Sequence, residues 1–528
     1  MNNNADALLF TRKVCVEAPQ TLGSHRRIRL REILLACLRA KRFDMEENML
    51  IIAAILVPVI AGTVISVVTI DDRIRKILYA CTVIVTDLAA VLAAMDGGVL
   101  RLGEMAEGVS IIFRADTISR CFLAVALLLY TVVLFYSFEY MKMEERIPVF
   151  YAFYLVSMGA LIAECFAGNL VTLYLSFEFL TLTSMPLVLH ERTKEAVAAG
   201  LKYLFYSVAG AMMGLLAIFF IYHFAAEPNL FVYGGFLDQA KLAGAENILY
   251  AAVLAGIVGF GAKAGMYPLH GWLPTAHPIA PAPASALLSA MIAKGGVLAV
   301  IRLVYFAVGA QTIRGTWVQL AWMCLALLTI LMGSTMAFSE EVLKKRLAYS
   351  TVSQISYIML GLSLLTDEGL RGGLLHVFSH ACAKGCLFLV AGVFIYKLKL
   401  RRVTELMGIG RLMPLTLLCF TAASISLVGI PPMGGFTSKW AIATAAMDSG
   451  TGIFEVLGPV VLLISALLTA GYLLPVMVDG FFPGGVTGTE NDEKAEPNAL
   501  MLIPMFILCV GSLLVGVFGK TFMSGLVF

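Results

Sequence analysis

Residues 371–397 read RGGLLHVFSHACAKGCLFLVAGVFIYK. As a helix this run extends about 40 Å, longer than the roughly 30 Å hydrocarbon core of a bilayer. Inside it stand three titratable side chains, His376, His380 and Lys384, at i, i+4 and i+8. On a helix they share one face and cover about 12 Å of its axis. Apolar residues surround them, so they lie where lipid excludes charge. An ionisable group there costs at least about 2.5–3.5 kcal/mol and marks function by default. A lone histidine reads as a hydrogen-bonded packing residue; three groups in register read as a proton-passing row, since imidazole titrates near neutrality. Zinc held by His376 and His380 is a competing reading, opposed by the cation-repelling lysine at the next i+4 position.

The rest of the chain has the same character. Its 528 residues are 60% hydrophobic and 14% charged, against roughly 25% charged in soluble globular proteins. That excludes a soluble or disordered chain. The 38 Lys+Arg nearly balance 35 Asp+Glu, so charge gives no reason to expect nucleic acid. The composition is that of an all-α polytopic membrane protein. Fourteen apolar runs recur, near 49–69, 74–95, 117–138, 148–166, 169–190, 201–225, 247–269, 282–307, 316–338, 347–366, 371–397, 412–446, 456–478 and 499–519. They are numbered here as spans 1 to 14. Residues 96–116 suit a small hairpin outside the membrane, and 480–497 a polar linker before span 14.

Orientation follows from Lys and Arg. Loops after odd-numbered spans hold 17 and loops after even-numbered spans 7, which puts the odd loops in the cytoplasm and both ends of the chain outside. Residues 1–48 conflict with this, because they carry nine Lys/Arg, including Arg26, Arg27, Arg29 and Arg31. We read them as a basic N-terminal extension arising from an over-long start, with the working chain beginning at Met45 or Met49; a basic surface helix is the other reading. No signal-peptide core is visible there.

No cofactor site is legible. The ten cysteines are scattered without a CxxC pair, and neither GxGxxG nor a P-loop occurs. Cys382 and Cys386 stand one turn apart, too few for an iron–sulfur cluster, and read as packing residues. The chemistry therefore rests on buried charges. Besides Lys384, Lys263, Lys294 and Lys439 lie inside spans, with Glu178 in span 5, Glu164 near the end of span 4 and Asp87 in span 2. Burial favours a neutral amine and a nearby carboxylate favours ammonium. A lysine between those influences can gain or lose a proton as its partner moves; arginine cannot. Two spans also carry helix breakers beside their lysine: GAKAGMYPLHGWLPTAHP after Lys263, and SLVGIPPMGGFTSKW up to Lys439. A simple proline kink is the plain reading. Interrupted helices beside a buried lysine, twice, point instead to ion sites near mid-membrane in two inverted repeats.

These motifs carry a resemblance. GFGAKAGMYPLHGWLPTAHPIAPAPASALLSAMIAKGGVLAVIRL resembles the signature of the proton-conducting antiporter-like subunits of respiratory complex I, Mrp sodium/proton antiporters and group 4 membrane-bound hydrogenases. LYLSFEFLTLTSMPLVL, TKEAVAAGLKYLFYSVAGA, LKKRLAYSTVSQISYIMLG with HVFSHACAKGCLFLVAG, and GIPPMGGFTSKW follow in family order, so the likeness covers about residues 110–480. The resemblance implies a relay in which Glu178 pairs with Lys263, followed by Lys294, then His376, His380 and Lys384, with Lys439 as terminal group. It also implies two linked half-channels in five-helix inverted repeats, 148–307 (spans 4–8) and 316–478 (spans 9–13), with spans 1–3 (49–138) and span 14 (499–528) outside them. Lys202 matches a family-like position, although its place near the cytoplasmic edge also suits a snorkelling lysine.

Glu164 departs from the family pattern, as either a second loading group or a surface acid at a span edge, and Asp87 lies outside the recognised core. The chain ends soon after span 14 without a long lateral helix, which argues against the largest complex I antiporter-like subunit; AHP…APASALLS and SKW lean towards the hydrogenase-linked and Mrp D-type branches. The expectation is a proton-translocating subunit of a bacterial or archaeal inner-membrane complex. It holds no cofactor itself, and partner chains would supply Fe–S, Ni–Fe or flavin centres. A stand-alone transporter of a small substrate and a structural membrane anchor are the alternatives. Too few carboxylates are visible to build a sodium site.

Overall fold

The structure, a computed structural model, describes residues 49–106, 109–226, 230–483 and 494–527. The extension 1–48 and residues 484–493 of the expected linker lie outside the described residues. The described chain is almost entirely helical, and twelve helices are long and apolar enough to cross a membrane. They are Met49–Val67, Asp72–Asp96, Thr117–Met143, Ile147–Phe166, Leu170–Val188, Lys194–His223, Glu246–Ala264, Ala282–Val308, Trp317–Ser339, Asp367–Leu398, Phe454–Phe481 and Ala499–Ser524, corresponding to spans 1–9, 11, 13 and 14.

The two remaining spans miss the apolar or length requirement for physical reasons. Span 10, Leu343–Ser363, is rich in Ser, Thr and Gln, and Ser350, Thr351, Ser353, Gln354 and Ser356 are all buried. It meets protein on every side, so lipid never selects against those hydroxyls. Span 12 is two short helices, Pro414–Val428 and Gly434–Met447.

Burial locates the core. The apolar stretch of span 8 is 100% buried inside the molecule and that of span 11 is 94% buried, against 22% for span 1 and 28% for span 14. Span 11 packs on spans 8, 10, 12 and 14. Spans 8 and 11 thus form the core of the described helices.

Residues 96–116 hold an antiparallel pair of strands, Val99–Ala106 and Val109–Arg114. Asn169 and Thr172 at the start of span 5 dock it: the Asn169 amide donates to Ser110 O at 2.7 Å, and Ile112 N donates to Thr172 Oγ1 at 2.9 Å.

Both interrupted spans end their first half on a left-handed glycine, Gly265 (φ 82°) and Gly429 (φ 93°), where a side chain would be strained. Span 7 resumes as a short helix, Leu273–Ile279, before span 8 begins. Freed backbone groups at membrane depth must find partners within the protein, and here they do. Trp272 Nε1 donates to Ala262 O at 2.9 Å, Ser285 Oγ to His277 O at 3.0 Å, and Lys344 Nζ to Ala280 O at 2.5 Å.

Candidate functional site

Lys263 occupies the last turn of Glu246–Ala264 and is wholly buried. Its ammonium donates to Phe177 O at 2.9 Å and Thr181 Oγ1 at 3.0 Å on span 5, and sits 3.9 Å from the centre of the Phe177 ring. Glu178 is half-buried one residue along, with Oε1 lacking a hydrogen-bond partner. Among the described residues, no carboxylate oxygen closes to within 4.0 Å of Lys263 Nζ. The expected Glu178–Lys263 pair is therefore an open one, coupled through the field and not through a contact.

Glu164 also acts on Lys263 through the field, and the surface-acid reading of it is overturned. Its side chain is 0% exposed and neither oxygen has a hydrogen-bond partner among the described residues. It rests on span 8 at Gly295, where an added Cβ would lie 2.8 Å from both oxygens. A residue with a side chain at 295 would displace the carboxylate. Span 4 thus delivers a buried acid between Lys263 and the helix that carries Lys294.

Lys294, in span 8, follows a π-helical turn, Leu288–Ile292, and its Nζ donates to Ser289 O at 2.8 Å. Ser289 Oγ and Thr351 Oγ1 of span 10 are 2.7 Å apart, Thr351 Oγ1 donates to Leu347 O at 2.9 Å, and Lys384 Nζ donates to that same oxygen at 2.9 Å. Two lysines on different helices are therefore anchored on either side of one Ser289–Thr351 contact, each amine donating to a backbone carbonyl. His380 lies one turn before Lys384, within electrostatic range of Lys294, Lys384, His376 and Lys439. The His380 and His376 rings are 5.9 Å apart. His376 Nδ1 contacts Ser438 Oγ at 2.9 Å, bringing the row to the residue beside Lys439.

Lys439 completes the broken twelfth span. Its Nζ donates to Leu427 O at 2.5 Å and Val428 O at 3.2 Å, the freed carbonyls at the end of Pro414–Val428. A cation at a helix C-terminus is favoured by the peptide dipoles; Lys263 differs, standing before the break of span 7 and bonding span 5.

Of the secondary candidates, Lys202 donates to Thr275 Oγ1 at 3.0 Å, so it is tied to the Leu273–Ile279 segment instead of reaching out to the surface. Asp87 stands apart: it accepts from Thr131 Oγ1 at 2.5 Å in the packing of spans 2 and 3, away from the row. Three participants were missed from the sequence. His277 is wholly buried, stacks on Phe388 at 4.7 Å and lies within electrostatic range of Lys294, Lys344 and Lys384; its setting between Pro274 and Pro278 in the interruption was the available signal. Ser289 and Thr351 had none, since a hydroxyl in an apolar run usually bonds its own helix.

Fold and row together define a class: a polytopic membrane protein whose interior is threaded by titratable side chains at broken helices. Known proteins agree. The family model described as "NADH:quinone oxidoreductase/Mrp antiporter, TM" matches residues 167–465, and one described as "NADH-Ubiquinone oxidoreductase (complex I), chain 5 N-terminus" matches 105–151. NADH-quinone oxidoreductase subunit N of Desulforudis audaxviator is 34% identical over 72% of this chain and 76% of its own length. Hydrogenase-4 component B of Escherichia coli is 30% identical over 78% of this chain; the match spans 63% of that protein. A chain in the structure of the Mrp complex from Dietzia sp. superimposes with a TM-score of 0.76 at 23% identity, covering 90% of this chain and 95% of that one, a likeness of fold. The chain belongs to the NADH:quinone oxidoreductase/Mrp antiporter membrane-subunit family.

Proposed function

We propose that this chain translocates protons across a bacterial or archaeal inner membrane as one subunit of a multi-subunit complex. Relatives include subunits named for quinone oxidoreductase and hydrogenase; by analogy, the redox centres belong to partner chains and this one carries no cofactor. The observation that carries the reading is the burial of Lys263, Lys294, Lys384, His380, His376 and Lys439 in one interior, with Lys294 and Lys384 anchored on either side of the Ser289–Thr351 contact. The carbonyls only accept, so they hold the two amines in place on helices that no single segment could bring together, and on this reading water between the side chains carries the proton.

Glu178 and Glu164 bias Lys263, which can exchange its proton when either acid moves; a charge pair at about 4 Å is worth roughly 4 kcal/mol at an effective dielectric of 20. The proton then passes by Lys294 and Lys384 to His380 and His376, and leaves at Lys439. Two interrupted spans, each breaking at a left-handed glycine and each carrying a buried lysine, support the two inverted repeats, spans 4–8 and 9–13. Odd-numbered loops face the cytoplasm on this reading.

The test is proton uptake into proteoliposomes holding the assembled complex, followed with a pH-sensitive dye. Lys263→Ala and Lys439→Ala are expected to abolish uptake while the complex assembles. A structural anchor would show the reverse, assembly failing with pumping intact in whatever assembles. A transporter of a small substrate would keep its flux in both variants. Four cavities described in the structure are lined by none of the row's residues.

A further inference from the structure

Two cavities meet at one residue. A polar cavity of about 640 Å³ opens where span 2 ends and span 3 begins, lined in part by Arg114, Asp116, Arg120 and Tyr233. An apolar groove of about 400 Å³ runs between spans 2 and 3 past Ala94, Leu123, Ala124 and Leu127. Arg120 lines both. Its Nε donates to Ala94 O at 2.8 Å, which fixes the guanidinium at the junction, and Leu127 lies seven residues on, about 10 Å deeper along the helix.

The polar cavity has a positive excess. Asp116 is neutralised by Arg302, whose Nη1 and Nη2 donate to its two oxygens at 2.6 and 2.8 Å. Beyond the cavity, Asp367 is engaged by the Tyr233 hydroxyl at 2.5 Å. Among the described residues, Arg114 and Arg120 bond only backbone oxygens, Phe231 O and Ala94 O, and no carboxylate oxygen lies within 4.0 Å of either guanidinium. Arg120 is exposed and Arg114 half-buried, so both can reach a bound group.

We propose that this cavity and groove form one binding site for an anionic phospholipid. Its phosphate would sit between Arg114 and Arg120, and an acyl chain would lie along Leu123, Ala124 and Leu127. An anion alone would leave the groove empty; an apolar partner would leave two arginines facing nothing. Only a molecule with an anionic head joined to a hydrocarbon tail satisfies both, and paired guanidiniums suit phosphate oxygens through charge-assisted bonds. None of the proton-passing residues takes part, so the site is separate from the row.

The test uses the full chain, purified in mild detergent with its partner subunits and titrated with phosphatidylglycerol by native mass spectrometry. One tightly held lipid is expected, bound at least tenfold more weakly by the Arg114→Gln/Arg120→Gln double variant. Ala124→Trp, which fills the groove and leaves both charges, should weaken it similarly. Arg101→Gln, on the hairpin outside the cavity, should not change it. Phosphatidylethanolamine of the same chain length is expected to bind at least tenfold more weakly, and inorganic phosphate not measurably. Equal binding of inorganic phosphate, undiminished lipid binding in either site variant, or a neighbouring subunit cross-linking to Arg120 with no lipid retained would overturn the proposal.

Discussion

Glu164 and Glu178 share Lys263 but not their surroundings: one acid is sealed inside the protein against Gly295, the other half-buried on span 5. A buried carboxyl with no hydrogen-bond partner is costly to keep, which argues that it is kept for what its charge does. Glu164→Gln preserves volume and removes the charge. A charge pair beyond contact still contributes about 1–4 kcal/mol, so we expect proton uptake to fall on the order of tenfold with assembly unchanged. Wild-type uptake in this variant would reduce Glu164 to a packing residue. Thr351 offers a finer probe, because Thr351→Val is isosteric and deletes only a hydroxyl. Losing one hydrogen bond costs about 1 kcal/mol, roughly fivefold; uptake should fall by that factor, and a Thr351→Ser variant should retain most of it.

Among the elements, the broken helices and the hairpin depend on partners distant in sequence. The start of span 3 is held by Asp116, which caps that helix and faces Arg302 of span 8 across 186 residues. Arg302 is 0% exposed, and removing one partner of a buried pair costs about 3–5 kcal/mol. Asp116→Asn should therefore lower the unfolding temperature of the detergent-solubilised protein by several degrees. Its pH dependence has a definite sign. Burial opposes charge on Asp116, but the Arg302 guanidinium outweighs it and holds the carboxyl below its ordinary 3.8. The stabilisation is then complete above about pH 3.8 and is lost as pH falls through the lower folded value. Thermal scans between pH 5 and pH 3 should show an acid loss that Asp116→Asn lacks; superimposable curves would sink the pair as a stabilising element.

For the molecule as a whole, the proposed fourteen crossings would return the chain to the side on which span 1 begins. On the proposed orientation, the excess of Lys and Arg in odd loops places the start of span 1 and the end of span 14 outside the cytoplasm. An alkaline phosphatase fusion after Ser524 should be active, and one in the loop before Lys344 inactive; the opposite pattern would invert the topology. Burial grades from the outward-facing spans 1 and 14 to a centre made of spans 8, 10 and 11. That grading explains how span 10 escapes a hydropathy criterion: a helix surrounded by protein need not be apolar.

Membrane class, the positions of the spans, their interruptions beside Lys263 and Lys439, and the register of His376, His380 and Lys384 could all be read from residue order. Each is a local property, a run of apolar residues, a breaker or a helical spacing, that lipid imposes on a single segment. Nothing local reveals that the Lys263 ammonium bonds span 5 without touching Glu178, that Glu164 is sealed against Gly295, or that Ser289 and Thr351 meet between the helices where Lys294 and Lys384 are anchored. Those facts depend on which helix faces meet, and a carboxyl or hydroxyl acquires its meaning from a partner dozens or hundreds of residues away. Hydrocarbon dictates where helices are; their mutual packing dictates which polar groups touch.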